Sequence, residues 1–412
     1  MPEVKPSEVE STASIKVIGV GGAGGSAVNR MREAGLSGVE FVAMNTDAQA
    51  LHNSKADIKV HLGHDATNGL GAGADPTVGE RAAEESREEI KNSLAGADMA
   101  FITLGAGGGT GSGAGYVVAE EARKQDILTV GVVTKPFSFE GQKRKANADW
   151  GIERLARNVD ALITIPNDRL LQTIDQRTPI VEAFKIADDV LRQGVQGISE
   201  LITEHGLVNL DFADVRTIMK DAGSALMGIG RASGENRATI AAQQAIESPL
   251  IEVSIDGARG VLLSVIGGYD LSMAEINEAA ELVTSSISPD ANIIWGAAIR
   301  PELEDEVIIT VVATGFDSQY YGNDPRAQQD MYVSDLRSSA EMSAPTQTAA
   351  DPVQTMPVEE PQQATDMQPE TPASAVFTNN DNVNMWDQIR SDSDDDDSDI
   401  PAILRRRKKN KD

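Results

Sequence analysis

The chain has 412 residues, of which 40% are hydrophobic and 4% aromatic, and since a single core rarely grows beyond roughly 250–300 residues, we expect two domains with further segments. It has no cysteine, which excludes disulfide bonds and thiolate metal sites, and its net charge of −28 argues against a nucleic-acid-binding surface. No apolar run reaches the roughly 18 residues of a membrane span and the N-terminus has no signal-peptide pattern, so we expect a cytoplasmic protein without a direct membrane span.

Short apolar runs alternate with amphipathic stretches in the first part of the chain. The runs are 15–20, 39–44, 99–104, 127–133 and 161–165. Apolar strands separated by helical patterns are typical of a parallel sheet with crossover helices. We therefore predict an α/β fold whose first domain, 14–180, is Rossmann-like and doubly wound, after a disordered N-terminal tail at 1–13.

A long helix and a second α/β pattern follow. Residues 179–206 have apolar positions at helical spacing, with Gly206 as the expected stop, and we assign 181–206 to a central helix. The remaining pattern predicts a smaller C-terminal domain at 207–316. Its helical stretches are 238–248 and 273–287, and its strands are 260–268, 292–299 and 307–315.

The C-terminal part has a different composition. Residues 317–385 are rich in Gln, Pro, Thr, Ser and acid without an apolar period, so they cannot bury enough surface to offset chain entropy, and we predict a disordered linker. The last segment, 386–412, contains an acidic run, the apolar stretch Asp399–Leu404 and a basic tail. Apolar residues after so long a polar stretch indicate a peptide that docks on partners.

Two glycine-rich loops, 19–25 and 105–113, each follow a predicted strand and enter a predicted helix. Glycine lets the backbone approach a phosphate closely and leaves amide N–H groups pointing at the anion. The first loop alone also fits a dinucleotide site of an oxidoreductase, with Asp47 as the ribose acid, or a turn without a ligand. Two such loops at one sheet edge, with a third glycine segment at 69–76 as a cover, favour a nucleoside triphosphate. The chain has no GxxxxGK[ST] motif and therefore no P-loop lysine.

Asn209, Asp211 and Asp214 form an acidic cluster after the long helix. Asp211 and Asp214 share a face at a helix start, where a carboxylate can also serve as an N-cap. These residues alone leave a cap and a catalytic group equally open. If Asp211 and Asp214 served only as helix caps, the chain would be a nucleotide-binding structural protein that does not hydrolyse its nucleotide.

The run GGGTGSG at 107–113 resembles the signature loop of the tubulin/FtsZ family and is highly specific to it. The resemblance covers 14–316 and returns at 399–404. Other segments similar to the family follow in order: GVGGAGGSAVNRM, NTDAQAL, the glycines of 69–74, FSFEGQKR, TIPNDRLL, AFKIADDVL and NLDFADV. This implies the tubulin/FtsZ fold, a GTP-binding first domain and GTP/GDP as ligands, with Mg²⁺ as the expected metal and no protein ligands assigned to it.

By resemblance, the glycine-loop backbones hold the phosphates and the Thr110 hydroxyl adds a contact. Glu140, Arg144 and Asn167 match residues around the ribose. Phe184 and Asp188 match residues that face guanine, and a carboxylate can accept hydrogen bonds from the N1–H and N2–H₂ groups of guanine. Without the resemblance, Phe184 would more often be a core residue. The predicted nucleotide-binding set is Gly21, Gly22, Ala23, Gly24, Gly25, Arg30, Asn45, Ala72, Gly73, Gly105, Gly107, Gly108, Gly109, Thr110, Gly111, Glu140, Arg144, Asn167, Phe184 and Asp188.

The resemblance also implies a mechanism and partners. It implies that Asn209, Asp211 and Asp214 are the catalytic residues. In a filament they would enter the nucleotide site of the next subunit and polarise water there. The domain 207–316 would thereby activate the GTPase. It implies membrane-tethering and regulatory division proteins as partners of Asp399–Leu404, at the midcell division ring. At Ser26 many family members carry Asn, so we expect a weaker base or sugar contact there.

Overall fold

The computed structural model describes residues 13–171, 177–203, 208, 211–248 and 255–316. The predicted N-terminal tail up to residue 12, the linker at 317–385, the C-terminal peptide at 386–412 and Asn209 lie outside the described residues.

Strands of the described residues form one sheet in the order β3-β2-β1-β4-β5-β6-β7-β10-β8-β9. In chain order they are β1 Ile15–Val20, β2 Val39–Asn45, β3 Ile58–His61, β4 Met99–Gly105, β5 Leu128–Lys135, β6 Ala161–Pro166, β7 Gly223–Ser233, β8 Gly260–Gly267, β9 Asn292–Ile299 and β10 Glu306–Thr314.

Helices cover both faces of this sheet. In chain order they are α1 Gly21–Glu33, α2 Ala48–His52, α3 His64–Thr67, α4 Pro76–Glu85, α5 Arg87–Leu94, α6 Gly109–Lys124, α7 Gln142–Ala156, α8 Asn167–Leu170, α9 Ile180–Thr203, α10 Phe212–Met219, α11 Arg237–Ile246 and α12 Met273–Ser285, with a 3-10 turn at Ser138–Glu140. Among the described residues, none of these helices is both long and apolar enough to cross a membrane.

The first half of the sheet is parallel, and its strands are in register. Ile15 of β1 faces Val39 of β2 and Met99 of β4, and the pairing runs to Val20 at the other end. Every residue of β1 is buried, as expected for a strand covered on both faces. Because the carboxyl ends of β1, β2 and β4 are aligned, the loops that follow them leave from one edge.

β7 joins the two halves of the sheet. Its first residues pair in parallel with β6, from Ala161↔Gly223 to Ile163↔Ala225, and the rest of it is antiparallel to β10. The sequence patterns did not predict β7, and its glycines explain why, since glycine is depleted in strands. At Gly230 a β-carbon would lie 1.8 Å from the Ala241 carbonyl oxygen, so glycine is needed there for α11 to pack on the strand.

The long helix α9 lies between the two halves. Val190, Leu191, Val195 and Ile198 are buried in one core cluster that also contains residues of β5, β8 and β10. Thr203 at the end of α9 contacts Gly38, just before β2 begins, since a β-carbon on Gly38 would be 2.8 Å from the Thr203 β-carbon. The helix therefore runs towards the amino edge of the parallel strands.

Candidate functional site: a glycine-lined edge and a distant acidic pair

The three glycine segments meet at the carboxyl edge of the parallel strands. A β-carbon on Gly21 would lie 2.9 Å from the Gly111 nitrogen, and one on Gly105 would lie 2.6 Å from the Ala23 β-carbon. A β-carbon on Gly109 would lie 2.8 Å from the β-carbon of Ala72. The structure thus brings the predicted phosphate loops 19–25 and 105–113 together and places the segment 69–76 against them.

The helices that start in these loops have uncapped N-termini. Neither α1 nor α6 has a side-chain cap or an acidic residue in its first turn among the described residues. By contrast, Asp47 caps α2, Asp75 caps α4 and Ser272 caps α12. An uncapped helix start leaves N–H groups and the positive end of the dipole available to an anion. Both phosphate loops end on such a start.

The glycines of these loops differ in the space around them. A β-carbon at Gly22, Gly25 or Gly108 would meet no atom within 4 Å, whereas one on Gly24 would lie 2.4 Å from the Thr103 carbonyl oxygen. The first group therefore faces open space, and Gly24 is enclosed by backbone. Ser26, the departure from the family pattern, is exposed.

The predicted ribose residues lie beside the second phosphate loop. Glu140 accepts from the Phe137 backbone N–H at 2.9 Å and pairs with Arg144 at 2.9 Å. The backbone of Arg144 contacts the loop, because a β-carbon on Gly107 would be 2.9 Å from the Arg144 carbonyl oxygen. Asn167 starts α8, and among the described residues its buried Oδ1 has no hydrogen-bond partner. Such an acceptor suits a ligand hydroxyl.

Aromatic and charged side chains form the base end of the site. Phe184, near the start of α9, is 41% exposed and meets the Phe137 ring edge to face at 5.4 Å. Asp188, one turn further along α9, accepts from Arg30 Nε of α1 at 3.1 Å. Burial raises the pKa of the Asp188 carboxyl, and the Arg30 guanidinium opposes part of that rise. Without the family resemblance the sequence favoured a core position for Phe184, and the exposed ring shows that this position is not in the core.

The turn after β2 is held by Asn45, a predicted nucleotide-binding residue, and by Asp47, the ribose acid of the dinucleotide alternative. Asn45 is buried and its Oδ1 accepts from the Asp47 N–H at 3.2 Å. The Asp47 side chain accepts from the backbone N–H groups of Gln49 and Ala50, so it is engaged as a cap. The turn after β2 is thus held by hydrogen bonds within residues 45–50.

Sequence reasoning missed Thr46, which lies between them. Its hydroxyl is 2.7 Å from the hydroxyl of Thr110, and its side chain is fully buried. Because the partners are 64 residues apart, no local pattern reports the contact. The sequence signals were its place next to the predicted site residue Asn45 at a strand end and inside the family-like segment NTDAQAL.

The acidic pair lies elsewhere. Asp211 is the N-cap of α10, and its Oδ1 accepts from the Asp214 N–H at 2.7 Å. Both side chains are exposed. Asp211 is therefore a helix cap, as one of the two alternatives predicted. Because the side chain is exposed, its second carboxylate oxygen is open to a further role.

α10 is anchored at the amino edge of the parallel strands. Arg216 of α10 pairs with Asp126, just before β5 begins, at 2.9 Å. The other end of β5 reaches the glycine loops, since the Thr134 carbonyl accepts from the Ala106 N–H. The acidic pair and the loops are therefore separated by the length of β5, about 25 Å at 3.3 Å per residue. The structure does not bring them together within one chain.

The described residues offer no cluster of three or more His, Cys, Asp or Glu side chains for a metal ion. Near the phosphate loops Asp47 and Asp75 each cap a helix through Oδ1. Mg²⁺ commonly takes one or two protein ligands together with water and substrate phosphates. The described residues therefore assign no protein ligand to a Mg²⁺ ion.

Comparison with known proteins adds to this geometry. Residues 14–175 match the sequence model of the Tubulin/FtsZ family, GTPase domain, and residues 223–317 match that of the FtsZ family, C-terminal domain. A structure described as an FtsZ dimer from M. jannaschii is 48% identical, with a TM-score of 0.71, and the match covers 74% of this chain and 88% of that one.

Two more distant structures share the fold. They are a GDP-bound monomer of CetZ1 and a GTPγS-bound protofilament of CetZ2, both from Haloferax volcanii. Their identities are 23% and 22%, their TM-scores are 0.64 and 0.63, and the matches cover 74% and 78% of this chain and 94% and 99% of theirs.

Proposed function

The chain belongs to the FtsZ family, and we propose that it is a GTP-dependent, self-assembling cytoskeletal protein that forms filaments at the division site and hydrolyses GTP between subunits. Its family makes it a GTPase that binds GTP and GDP. The finer steps proposed here are the filament, the Z ring and the shared active site. A related dimer and a more distant protofilament support self-association.

One observation carries the shared site. The glycine loops lie at the carboxyl edge of the parallel strands, and Asp211 and Asp214 lie at the amino edge. A single chain therefore presents a pocket at one pole and carboxylates at the other. Stacking chains head to tail would join the two, which is how a heterologous contact generates a filament.

At the pocket, this chain's backbone would hold the nucleotide. The free N–H groups at the starts of α1 and α6 would donate to phosphate oxygens, and the Thr110 hydroxyl would add a donor. Glu140, Arg144 and Asn167 would contact the ribose. Phe184 would stack on guanine while Asp188 accepts from its N1–H and N2–H₂.

Hydrolysis would then depend on the next subunit. Asn209, Asp211 and Asp214 of that subunit would orient a water molecule in line with the γ-phosphorus, and the bond from phosphorus to the β-γ bridging oxygen breaks as water attacks. Asn209 lies outside the described residues, so its part rests on its place in the motif. Mg²⁺, bound with the nucleotide, would balance the charge of the phosphates.

A first assay separates this function from the alternatives. Purified protein is incubated with GTP, ATP or NADH, and phosphate release and sedimentation are followed. We expect release and pelleting with GTP only. Turnover of NADH would support the oxidoreductase, and GTP binding without phosphate release would support a structural protein.

A second assay tests the shared site by mixing two inactive variants. Asp214→Ala keeps an intact pocket, and Thr110→Arg keeps an intact acidic segment, so mixed contacts should restore part of the turnover. Sedimentation must first show that Thr110→Arg still joins filaments. Normal hydrolysis by Asp214→Ala alone, or full turnover by dilute monomer, would contradict the shared site.

We also propose that Asp399–Leu404 docks on membrane-tethering and regulatory division proteins in the cytoplasm at midcell. The composition of 317–385 suits a tether with a root-mean-square reach of roughly 45 Å as a flexible coil. Deleting 399–412 should abolish recruitment by such partners and leave GTPase activity intact. A loss of GTPase activity on deletion would oppose the tether.

A further inference from the structure

We propose that Thr46 is a positioning residue that directs the Thr110 hydroxyl proton towards the bound phosphate. The inference rests on the proposed GTP site, because it assigns a role to a residue behind that site's phosphate loop. Thr46 follows β2 directly, and Thr110 is in the first turn of α6.

The burial of the two hydroxyls differs. Thr46 is fully buried, whereas Thr110 is half-buried within the second glycine loop. Their oxygens are 2.7 Å apart, a usual O–H···O hydrogen-bond distance in which either oxygen can donate. Geometry alone therefore leaves the direction of the bond open.

Burial settles the direction. Among the described residues, the Thr46 hydroxyl has Thr110 as its hydrogen-bond partner. If Thr110 donated to Thr46, the Thr46 proton would be buried without an acceptor, which costs more than an ordinary hydrogen bond contributes. Thr46 must therefore donate to Thr110. The Thr110 proton is then free to donate to a phosphate oxygen at the proposed site.

Thr46 also holds the segment that covers the phosphate loop. Its backbone carbonyl accepts from the Gly71 N–H at 3.2 Å and from the Thr67 hydroxyl at 3.2 Å. Gly71 immediately precedes Ala72, which contacts Gly109. One residue thus ties the covering segment through its backbone and orients the phosphate donor through its side chain, so a side-chain substitution can separate the two.

The experiment compares Thr46→Val with Thr46→Ser in the full-length protein. Valine has nearly the shape of threonine but no hydroxyl, and serine keeps the hydroxyl. Thr129→Val is the matched control, because Thr129 is an equally buried threonine at the amino end of β5, bonded to Asp160. GTP and GDP affinities, KM, kcat and thermal unfolding without nucleotide are measured for each.

We expect Thr46→Val to weaken nucleotide binding and raise KM by about fivefold, the size of one ordinary hydrogen bond, with a smaller change in kcat. Thr46→Ser should stay within about twofold of the parent. Thr129→Val should lower thermal stability and leave nucleotide affinity unchanged. In the background of Thr110→Val, adding Thr46→Val should have no further effect on affinity, because the hydroxyl that Thr46 orients is gone.

Three results would overturn the inference. One is unchanged affinity in Thr46→Val, another is equal loss in Thr46→Val and Thr46→Ser, and the third is full additivity with Thr110→Val. If Thr46→Val does not fold, Thr46→Ala, which also lacks the hydroxyl, takes its place in the comparison with Thr46→Ser and in the pair with Thr110→Val. If the parent protein binds no GTP, the proposed function itself has failed, which is a different outcome.

Discussion

The phosphate end and the base end of the site are built in different ways. Around the phosphates the surface is backbone, formed by loops so close that a β-carbon on Gly24 would lie 2.4 Å from a carbonyl oxygen. At the base end the surface is made of side chains, with Phe184 partly exposed and Asp188 paired with Arg30. The first surface is an outcome of how strands and helices pack, and the second depends on individual contacts.

This difference predicts how each end responds to substitution. A backbone surface can offer N–H groups to any phosphate but cannot be altered without moving the sheet. A side-chain surface confers selectivity for a base and can lose it one hydrogen bond at a time. Substitutions at the enclosed glycines of the phosphate end should therefore affect folding, and those at the base end should affect specificity.

The largest effect is expected for Gly24→Ala. Its β-carbon would collide with backbone atoms of Thr103 and Gly19, which no rotamer change can relieve, so we expect the free energy of unfolding to fall by about 3 kcal/mol. Gly108→Ala is the matched control, because its β-carbon meets open space. It should fold normally and bind GTP more weakly. Chemical denaturation and GTP titration measure both, and equal stabilities would break the comparison.

Asp188→Asn should act on specificity. Replacing a carboxylate that accepts from guanine removes charged hydrogen bonds, and we expect GTP affinity to fall by about 2 kcal/mol, roughly thirtyfold. The preference for GTP over ATP should fall with it, while thermal stability changes little. Competition against labelled GDP measures both affinities. If the variant kept the full preference for GTP, Asp188 would not face the base.

Asp211 allows its cap and its proposed catalytic role to be separated. Asp211→Ala removes the N-cap of α10 and should cost about 1 kcal/mol of stability, whereas Asp211→Ser keeps a capping oxygen and should cost a few tenths. Both should lower GTP turnover in filaments, because both remove the carboxylate. Turnover that followed stability, and was normal in Asp211→Ser, would leave the residue a cap only.

The pH dependence of binding tests the environment of Asp188 at the base end. Burial raises the pKa of Asp188, and Arg30 limits the rise, so GDP affinity should decline as pH falls through that pKa, by at most about tenfold per pH unit. Arg30→Met should move the decline to higher pH, and Asp188→Asn should abolish it.

The stability of the fold should change with pH in the opposite direction to GDP affinity. Because the folded pKa lies above the unfolded one, the nucleotide-free protein should lose stability as pH rises through it, more so in Arg30→Met. Calorimetry across pH measures this change, and an unchanged profile in Arg30→Met would show that the ion pair does not control the carboxyl.

Much of the fold followed from the sequence. The predicted fold class and family are confirmed, and strands such as β1 and β9 begin and end where their apolar runs do. β3 and β7 were not predicted. β3 is a four-residue edge strand and β7 is rich in glycine, so neither has the long apolar run that marks a buried strand.

By itself, the sequence determined the glycine loops and their place between strand and helix, because apolar periods and glycine runs are local and readable in order. Only the tertiary structure decided which distant side chains meet. Arg30 and Asp188 are 158 residues apart, Thr46 and Thr110 are 64 apart, and Asp211 lies at the opposite edge of the parallel strands from the glycine loops of its own chain. Such contacts depend on the register of strands and the length of α9, which set distances in space that spacing along the chain does not encode.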